Sequence, residues 1–391
     1  MIIPKSVSGR PVTNRGVHLQ PSGQHTDWMK RADYWIDLLV SMGMSWVTAL
    51  SDSDALYTSG AAKALLEAGI IPIVRFAYTF PNAWTHGDAV SQLVNLYAKY
   101  DAPCIVQFAN EPFDIREWRN KLVPKYEDAW NIIAQKWNEA AREIVRRGGI
   151  AGFPDGPCYG ENPFMRIEST HDLWYVEKCV YLGHFYGKGR PLNYPYDVVS
   201  QFGLPLSMGE YRELLDDYAD DPAWFEGEYT LARMNAQRQA WAVLGKTAFD
   251  DDTCFRGYEK VVAWSQETFG FVVPMAMTEG GWVPRDRAGS GNQVDIRWPM
   301  TTPRKVAELT LQMFEADTPM FALTPWLLAC ADMGGSGWEY DAWVGWAYGD
   351  KYGREKPVVE ALRQTAQHKP TVVSLLREAQ ALARGLPGID G

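Results

Sequence analysis

Cys104-Ile105-Val106-Gln107-Phe108-Ala109-Asn110-Glu111-Pro112 is an apolar run that hands over directly to a carboxylate and a proline. The apolar part has the length of a buried strand. Outward from it the same unit recurs. Runs at 16–20, 46–50, 71–76, 150–153, 181–186, 271–277 and 320–328 also read as strands. Between them, apolar residues fall at helical spacing. Trp28, Ala32, Trp35, Leu38, Leu39 and Met42 precede a stop at Gly43. Trp130, Ile133, Ala134, Trp137, Ala141 and Ile144 precede Gly148-Gly149. Thr302-Pro303 supplies a cap and a first-turn proline ahead of Val306, Leu309, Met313 and Phe314. Strands alternating with helices at this interval build a parallel sheet. Eight strands close a (β/α)₈ barrel, so the expected fold is an α/β TIM barrel with an elaborated catalytic face. The rival, an open doubly wound sheet, would want a glycine-rich phosphate turn, and no such motif is present. A ninth run, Leu204-Pro-Leu-Ser-Met208, is one more than the barrel needs.

A chain of 391 residues accommodates one such domain, 1–391, with length to spare. The surplus is expected at 188–258, a long aromatic and acidic stretch read as an insertion over the catalytic face. With 46% hydrophobic and 22% charged residues, the composition is that of a globular protein. A net charge of −10 opposes binding to a phosphate backbone, so no nucleic-acid partner is expected. No apolar run reaches the 18 or so residues of a membrane helix. The first residues lack a charged segment followed by an apolar core, which points to a cytoplasmic protein. Cys104, Cys158, Cys179, Cys254 and Cys330 are odd in number and scattered, as expected of reduced thiols.

Glu111 follows the fourth strand at its C-terminal end, where barrel enzymes place their reactive groups. Glu279, in Thr278-Glu279-Gly280-Gly281-Trp282, stands in the same relation to the run 271–277, and the glycines permit close backbone approach. The structural alternative is an N-cap or surface charge for Glu111 and a loop charge in a glycine turn for Glu279. Together, at two strand ends, they form the equipment for cleaving a glycosidic bond, one as acid/base and one as nucleophile. That chemistry calls for no metal or organic cofactor. His18 is a lone strand histidine and the six histidines are scattered, so a zinc hydrolase is not expected. No GxSxG nucleophile elbow is present.

Ala109-Asn110-Glu111-Pro112 and Met277-Thr278-Glu279-Gly280-Gly281-Trp282 resemble the motifs of retaining (β/α)₈ glycoside hydrolases of the clan A type, whose catalytic glutamates end strands four and seven. The resemblance implies that Glu111 is the general acid/base and Glu279 the nucleophile, and that Asn110 binds the sugar 2-hydroxyl. It also implies His184 and Tyr186 around the nucleophile, Trp326 as an aromatic floor beneath the sugar, and Arg75 as a charge partner for a glutamate. The expected partner is an oligo- or polysaccharide. Phe113, Trp118 and Trp282 flank the glutamates, and Trp338, Trp343 and Trp346 crowd the loop after the last strand. All six are candidates for stacking on sugars. Met208-Gly209-Glu210-Tyr211 resembles another version of the nucleophile motif. Glu279 is preferred because choosing Glu210 leaves too many strands for the barrel. A non-catalytic carbohydrate-binding barrel, and a transglycosylase using the same glutamates, are the alternative readings.

Overall fold

The computed structural model describes residues 3–19, 32–51, 60–153, 162–168, 174–217, 226–227, 229–283, 295–298, 302–330, 342–344 and 355–368. After a short hairpin pairing Ser6–Val7 with Arg10–Pro11, eight parallel strands follow in chain order. They are β1 (Gly16–His18), β2 (Trp46–Ser51), β3 (Ile71–Phe76), β4 (Ile105–Gln107), β5 (Ile150–Phe153), β6 (Cys179–Tyr186), β7 (Met275–Gly281) and β8 (Met320–Leu323). Each strand pairs with its neighbour in sequence, and a parallel bridge between Arg15 and Leu323 closes the ring. Two backbone bonds reinforce the seam: Leu323 N–H to the Asn14 carbonyl at 2.8 Å, and His18 N–H to the Pro325 carbonyl at 3.0 Å. The fold is a (β/α)₈ barrel.

Helices α1 (Ala32–Ser41), α2 (Ala61–Glu67), α3 (Gly87–Ala98), α4 (Tyr126–Arg146) and α5 (Pro163–Glu168) occupy the first five connections. Apolar residues at 3–4-residue spacing give each barrel helix a face to bury. On α4 that face is Trp130, Ile133, Ala134, Trp137, Ala141 and Ile144, all inside. The Trp137 indole stacks on Phe153 of β5 at 4.3 Å and donates to the Gly152 carbonyl, so the large ring leaves no polar atom stranded. Each fully buried side chain of this size contributes about 1.5–3 kcal/mol from apolar burial. Between β6 and β7 come α6 (Val198–Phe202), α7 (Met208–Asp217), α8 (Leu231–Ala240) and α9 (Tyr258–Phe269). Leu206, Tyr211, Tyr229 and Met234 form a small core of their own there. α10 (Pro303–Glu315) opens on Thr302, whose hydroxyl caps the Lys305 N–H beside the N1 proline. α11 (Pro357–His368) is the last described element.

Three strand expectations need correction. β7 begins at Met275, not 271, because Val273 N–H is taken by the Ser265 hydroxyl and Pro274 has no N–H to give the ladder. Glu279 therefore lies within the strand rather than after it. β8 ends at Leu323, ahead of Pro325, although the expected run reached 328. The run 204–208 is no strand at all. Its Leu206 N–H and carbonyl are both satisfied by the Asn235 amide, at 2.7 and 3.0 Å, and Met208 starts α7. Cys104, Cys179, Cys254 and Cys330 are free and buried, and Cys158 lies outside the described residues. So do Trp28 and the helical pattern expected at 372–384. Among the described residues no helix is long and apolar enough to cross a membrane.

Gly16 sits where the ring closes. A Cβ there would lie 2.6 Å from the Thr324 side-chain methyl and 2.7 Å from the Trp46 carbonyl oxygen, which is backbone and cannot yield. Gly16→Ala is therefore expected to destabilise the protein by about 1–3 kcal/mol through overpacking. Gly209→Ala, on α7 with nothing nearer than the Ser207 hydroxyl at 3.8 Å, should stabilise it by about 0.4–1 kcal/mol. Chemical-denaturation midpoints of the two variants check this; a Gly16→Ala midpoint equal to wild type would contradict the tight seam.

Candidate active site

The strand ends of β3, β4, β6 and β7 bring Arg75, Glu111, His184, Tyr186 and Glu279 together. Local chain geometry aims them. In the β6–β7 ladder Gly183 pairs with Met277, but His184 pairs with Glu279, so Thr278 is an extra residue on β7. Such a bulge bends the strand and redirects the next side chain. It sets His184 directly beside Glu279. The two residues that follow have φ of 134° and 72°, conformations that favour glycine, and Gly280 and Gly281 occupy them. A Cβ at position 280 would collide with the Phe185 carbonyl.

Glu279 is buried and held at both oxygens. Arg75 Nη1 donates to Oε1, and the Tyr186 hydroxyl donates to Oε2 at 2.8 Å. His184 Nδ1 lies 3.6 Å from Oε2 and His18 Nε2 3.9 Å from Oε1. Burial by itself would raise the pKa of this carboxyl. The nearby positive charge of His184, Arg75 and His18, with the Arg75 hydrogen bond, outweighs burial and holds it well below the usual carboxylate range. Tyr186 is pushed the other way, first by burial and then by the charges of Glu279 and Glu111, so its hydroxyl keeps its proton and remains a donor.

Glu111 is held differently. Its side chain is 27% exposed, against 8% for Glu279. His184 Nδ1 lies 3.0 Å from its Oε1. Arg75 Nη2 approaches the other ring nitrogen at 3.3 Å and can only donate, so in neutral His184 Nε2 accepts and Nδ1–H donates to Glu111. One histidine thus bridges the two carboxylates. Arg116 Nη2 stands 3.6 Å from Glu111 Oε2 and is itself clamped by Asp114 at 2.6 Å. Glu111, His184 and Glu279 each present one ligand-type atom within 4.8 Å of the others. That set could offer ligands to a cation, but the permanent charge of Arg75 on Glu279 opposes one.

Trp326, 9% exposed, follows β8, and its ring lies 4.6 Å from that of His18. Of the flanking aromatics expected to stack on sugars, Trp282 and Trp118 are buried and Phe113 is half-buried. Trp282 is 1% exposed, donates its indole N–H to the Arg190 carbonyl at 2.7 Å and lies against Phe255. Trp118 stacks on Phe80 and donates to the Pro112 carbonyl, while Phe113 stacks on Tyr126. Trp343 is buried; Trp338 and Trp346 lie outside the described residues. Glu210 is an exposed residue in the first turn of α7. It accepts from the Ser207 N–H at 2.8 Å while its own N–H donates to the Ser207 hydroxyl at 3.2 Å, a reciprocal cap that accounts for its place in the sequence.

Two residues of the cluster escaped sequence reasoning. His18 was read as an isolated strand histidine, yet it ends β1 on the same rim as the others. Glu117, in the 3₁₀ turn Ile115–Glu117, accepts from Asn110 Nδ2 at 3.2 Å. Its only signal was proximity to Asn110-Glu111.

No family model matches this chain, and no curated protein matches it. Among solved structures it is similar to a β-glucuronidase from an uncultured Clostridium species, at 13% identity, over 94% of this chain and 53% of that one, with a TM-score of 0.43. β-Glucuronidase 2 of Bacteroides uniformis, covalently bound to a cyclophellitol-6-carboxylate aziridine, gives 13% identity over 92% of this chain and 35% of that one, with a TM-score of 0.49. A β-glucanase from Saccharophagus degradans in complex with cellotetraose gives 12%, 93% of this chain, 92% of that one, and 0.42. The chain thus spans about half the length of the first of these proteins and a third of the second. At such identities, and with TM-scores below 0.5, the likeness carries no argument about activity or residue roles.

Proposed function

We propose that the chain is a retaining β-glycosidase acting on an oligo- or polysaccharide, with Glu279 as nucleophile and Glu111 as general acid/base. The observation that carries this reading is a pair of carboxylates in unlike surroundings whose oxygens come within 4.8 Å of each other. Retaining enzymes hold the two groups about 5–5.5 Å apart, and inverting ones about 6.5–9.5 Å, to leave room for water. The unlike surroundings divide the labour. Glu279, charged and positioned by Arg75 and Tyr186, attacks the anomeric carbon as the bond to the leaving oxygen breaks. Glu111, the more open of the two, gives its proton to that oxygen. It then takes a proton from water, whose oxygen displaces Glu279 and restores the enzyme. Trp326 lies beneath the sugar, and Asn110 receives its 2-hydroxyl. In the same reading 188–258 is an insertion over the catalytic face of one catalytic domain. Its contacts with the β7 side, including Arg190 to Asp295 at 3.1 Å, support that placement.

The test is proton NMR of the first-formed product from a β-glycoside. Retention gives the β-anomer first; an α-anomer first would overturn the mechanism. Glu279→Gln should lower kcat by a factor on the order of 10⁴ or more. Glu111→Gln should lower kcat/KM by roughly 10²–10⁴ for a poor leaving group, and far less for a dinitrophenolate that needs no proton. Equal losses on both leaving groups would remove Glu111 from the acid role.

The lowered pKa of Glu279 also sets the acid side of the pH profile. Removing the Arg75 charge removes a group that favours the ionised form, so the Glu279 pKa rises. In Arg75→Met the acid limb of kcat/KM is therefore expected at higher pH than in wild type. A limb that stays in place, or moves to lower pH, would contradict the assignment of that limb to a Glu279 controlled by Arg75.

A further inference from the structure

We infer that Glu117 is a positioning residue that sets which way the Asn110 amide faces, and through it the recognition of the sugar hydroxyl next to the scissile bond. This rests on the glycosidase reading and adds to it a third carboxylate. Asn110 Nδ2 donates to Glu117 Oε1 at 3.2 Å. The amide's other end, Oδ1, is buried and makes no hydrogen bond among the described residues. An amide can rotate by half a turn with little change in shape, exchanging donor for acceptor. Here the bond to Glu117 is the contact that selects one of the two orientations.

Glu117 is suited to that task because its own backbone is pinned. Its carbonyl accepts from Phe80 N–H at 2.8 Å and its N–H donates to the Asp114 carbonyl at 3.0 Å. On its other side Arg119 N–H reaches the Phe80 carbonyl at 2.9 Å, and Trp118 stacks on the Phe80 ring. The turn carrying Glu117 is thereby fixed to the loop after β3, the strand that carries Arg75. Burial leaves the Glu117 carboxyl above its ordinary value, the Asn110 bond and the Arg75 charge pulling it only part of the way back. Both are contacts that favour the ionised, acceptor-only form.

The test uses Glu117→Ala, Glu117→Gln, Asn110→Ala and the Asn110→Ala/Glu117→Ala double variant, with a 4-nitrophenyl β-glycoside that the wild type hydrolyses and its 2-deoxy counterpart. Glu117→Ala is expected to lose about 10–100-fold in kcat/KM on the parent glycoside, as a misplaced contact group would. It should lose no more than about twofold on the 2-deoxy substrate, which has no hydroxyl to recognise. Glu117→Gln presents a donor as well as an acceptor, so it no longer selects one orientation and should fall between wild type and Glu117→Ala on the parent glycoside. In the double variant, the loss should equal that of Asn110→Ala alone. Losses that multiply, or an equal loss on both substrates, would overturn the proposal. Neutron crystal structures of wild type and Glu117→Ala, in which deuterons mark the amide nitrogen, provide a readout free of activity: an Asn110 amide with unchanged orientation in the variant would overturn it too. Should the wild type cleave no β-glycoside, the glycosidase reading fails, and the crystal structures still decide the role of Glu117.

Discussion

The bond from Arg75 to Glu279 is the contact on which the rest of the site depends. A lone carboxylate on the floor of a barrel mouth would take up a proton sooner than remain charged away from water. The positive charge of His184, Arg75 and His18 reverses that preference, with Arg75 bonded to one oxygen and the Tyr186 hydroxyl to the other. A buried pair of this kind adds little to stability once the desolvation of both ions is counted. Its return is chemical: a carboxylate kept ionised and aimed, with few ways to rotate. The same guanidinium reaches His184, which in turn reaches Glu111. The two carboxylates are thus coupled through one arginine and one histidine, so a change at any of the four should be felt at the others.

The barrel makes this convergence possible. Parallel strands present their C-terminal ends on one rim, and side chains far apart in sequence meet there. Arg75 and Glu279 are 204 positions apart and form a direct ion pair. Two local devices then refine the aim: the bulge at Thr278 and the glycine pair behind Glu279. The closure of the ring at Gly16, Leu323 and Thr324 lies beside them, since Thr324 N–H donates to the Met277 carbonyl two residues before Glu279. Packing at the seam and geometry at the rim are one structural problem.

Much of the architecture was legible in the sequence. The strands at 71–76 and 150–153 match β3 and β5 residue for residue, because short apolar runs flanked by breakers leave little ambiguity. The eight-strand total followed from the same pattern. Where periodicity failed, a backbone bond decided the matter. Pro274 and the Ser265 hydroxyl displaced the start of β7, and the Asn235 amide took the pairing that a ninth strand would have needed. Glu111 and Glu279 were named from motif and position, and Arg75, His184 and Tyr186 from the family resemblance; the structure brings all five into one cluster. Burial of the tryptophans was not legible. Trp282 beside a glutamate reads as a sugar platform, but whether a ring faces a cleft or the core depends on the partners across the loop, here Arg190 and Phe255. His18 and Glu117 were missed for a related reason: each gains meaning from residues distant in sequence or across a turn.

Covalent trapping addresses the central claim most directly. Incubation with a panel of activated 2-fluoro glycosides, followed by intact-mass measurement and peptide mapping, reports which side chain attacks the anomeric carbon. The account predicts a stable ester on Glu279. A label on Glu111, on Glu210 or on any other carboxylate would contradict it.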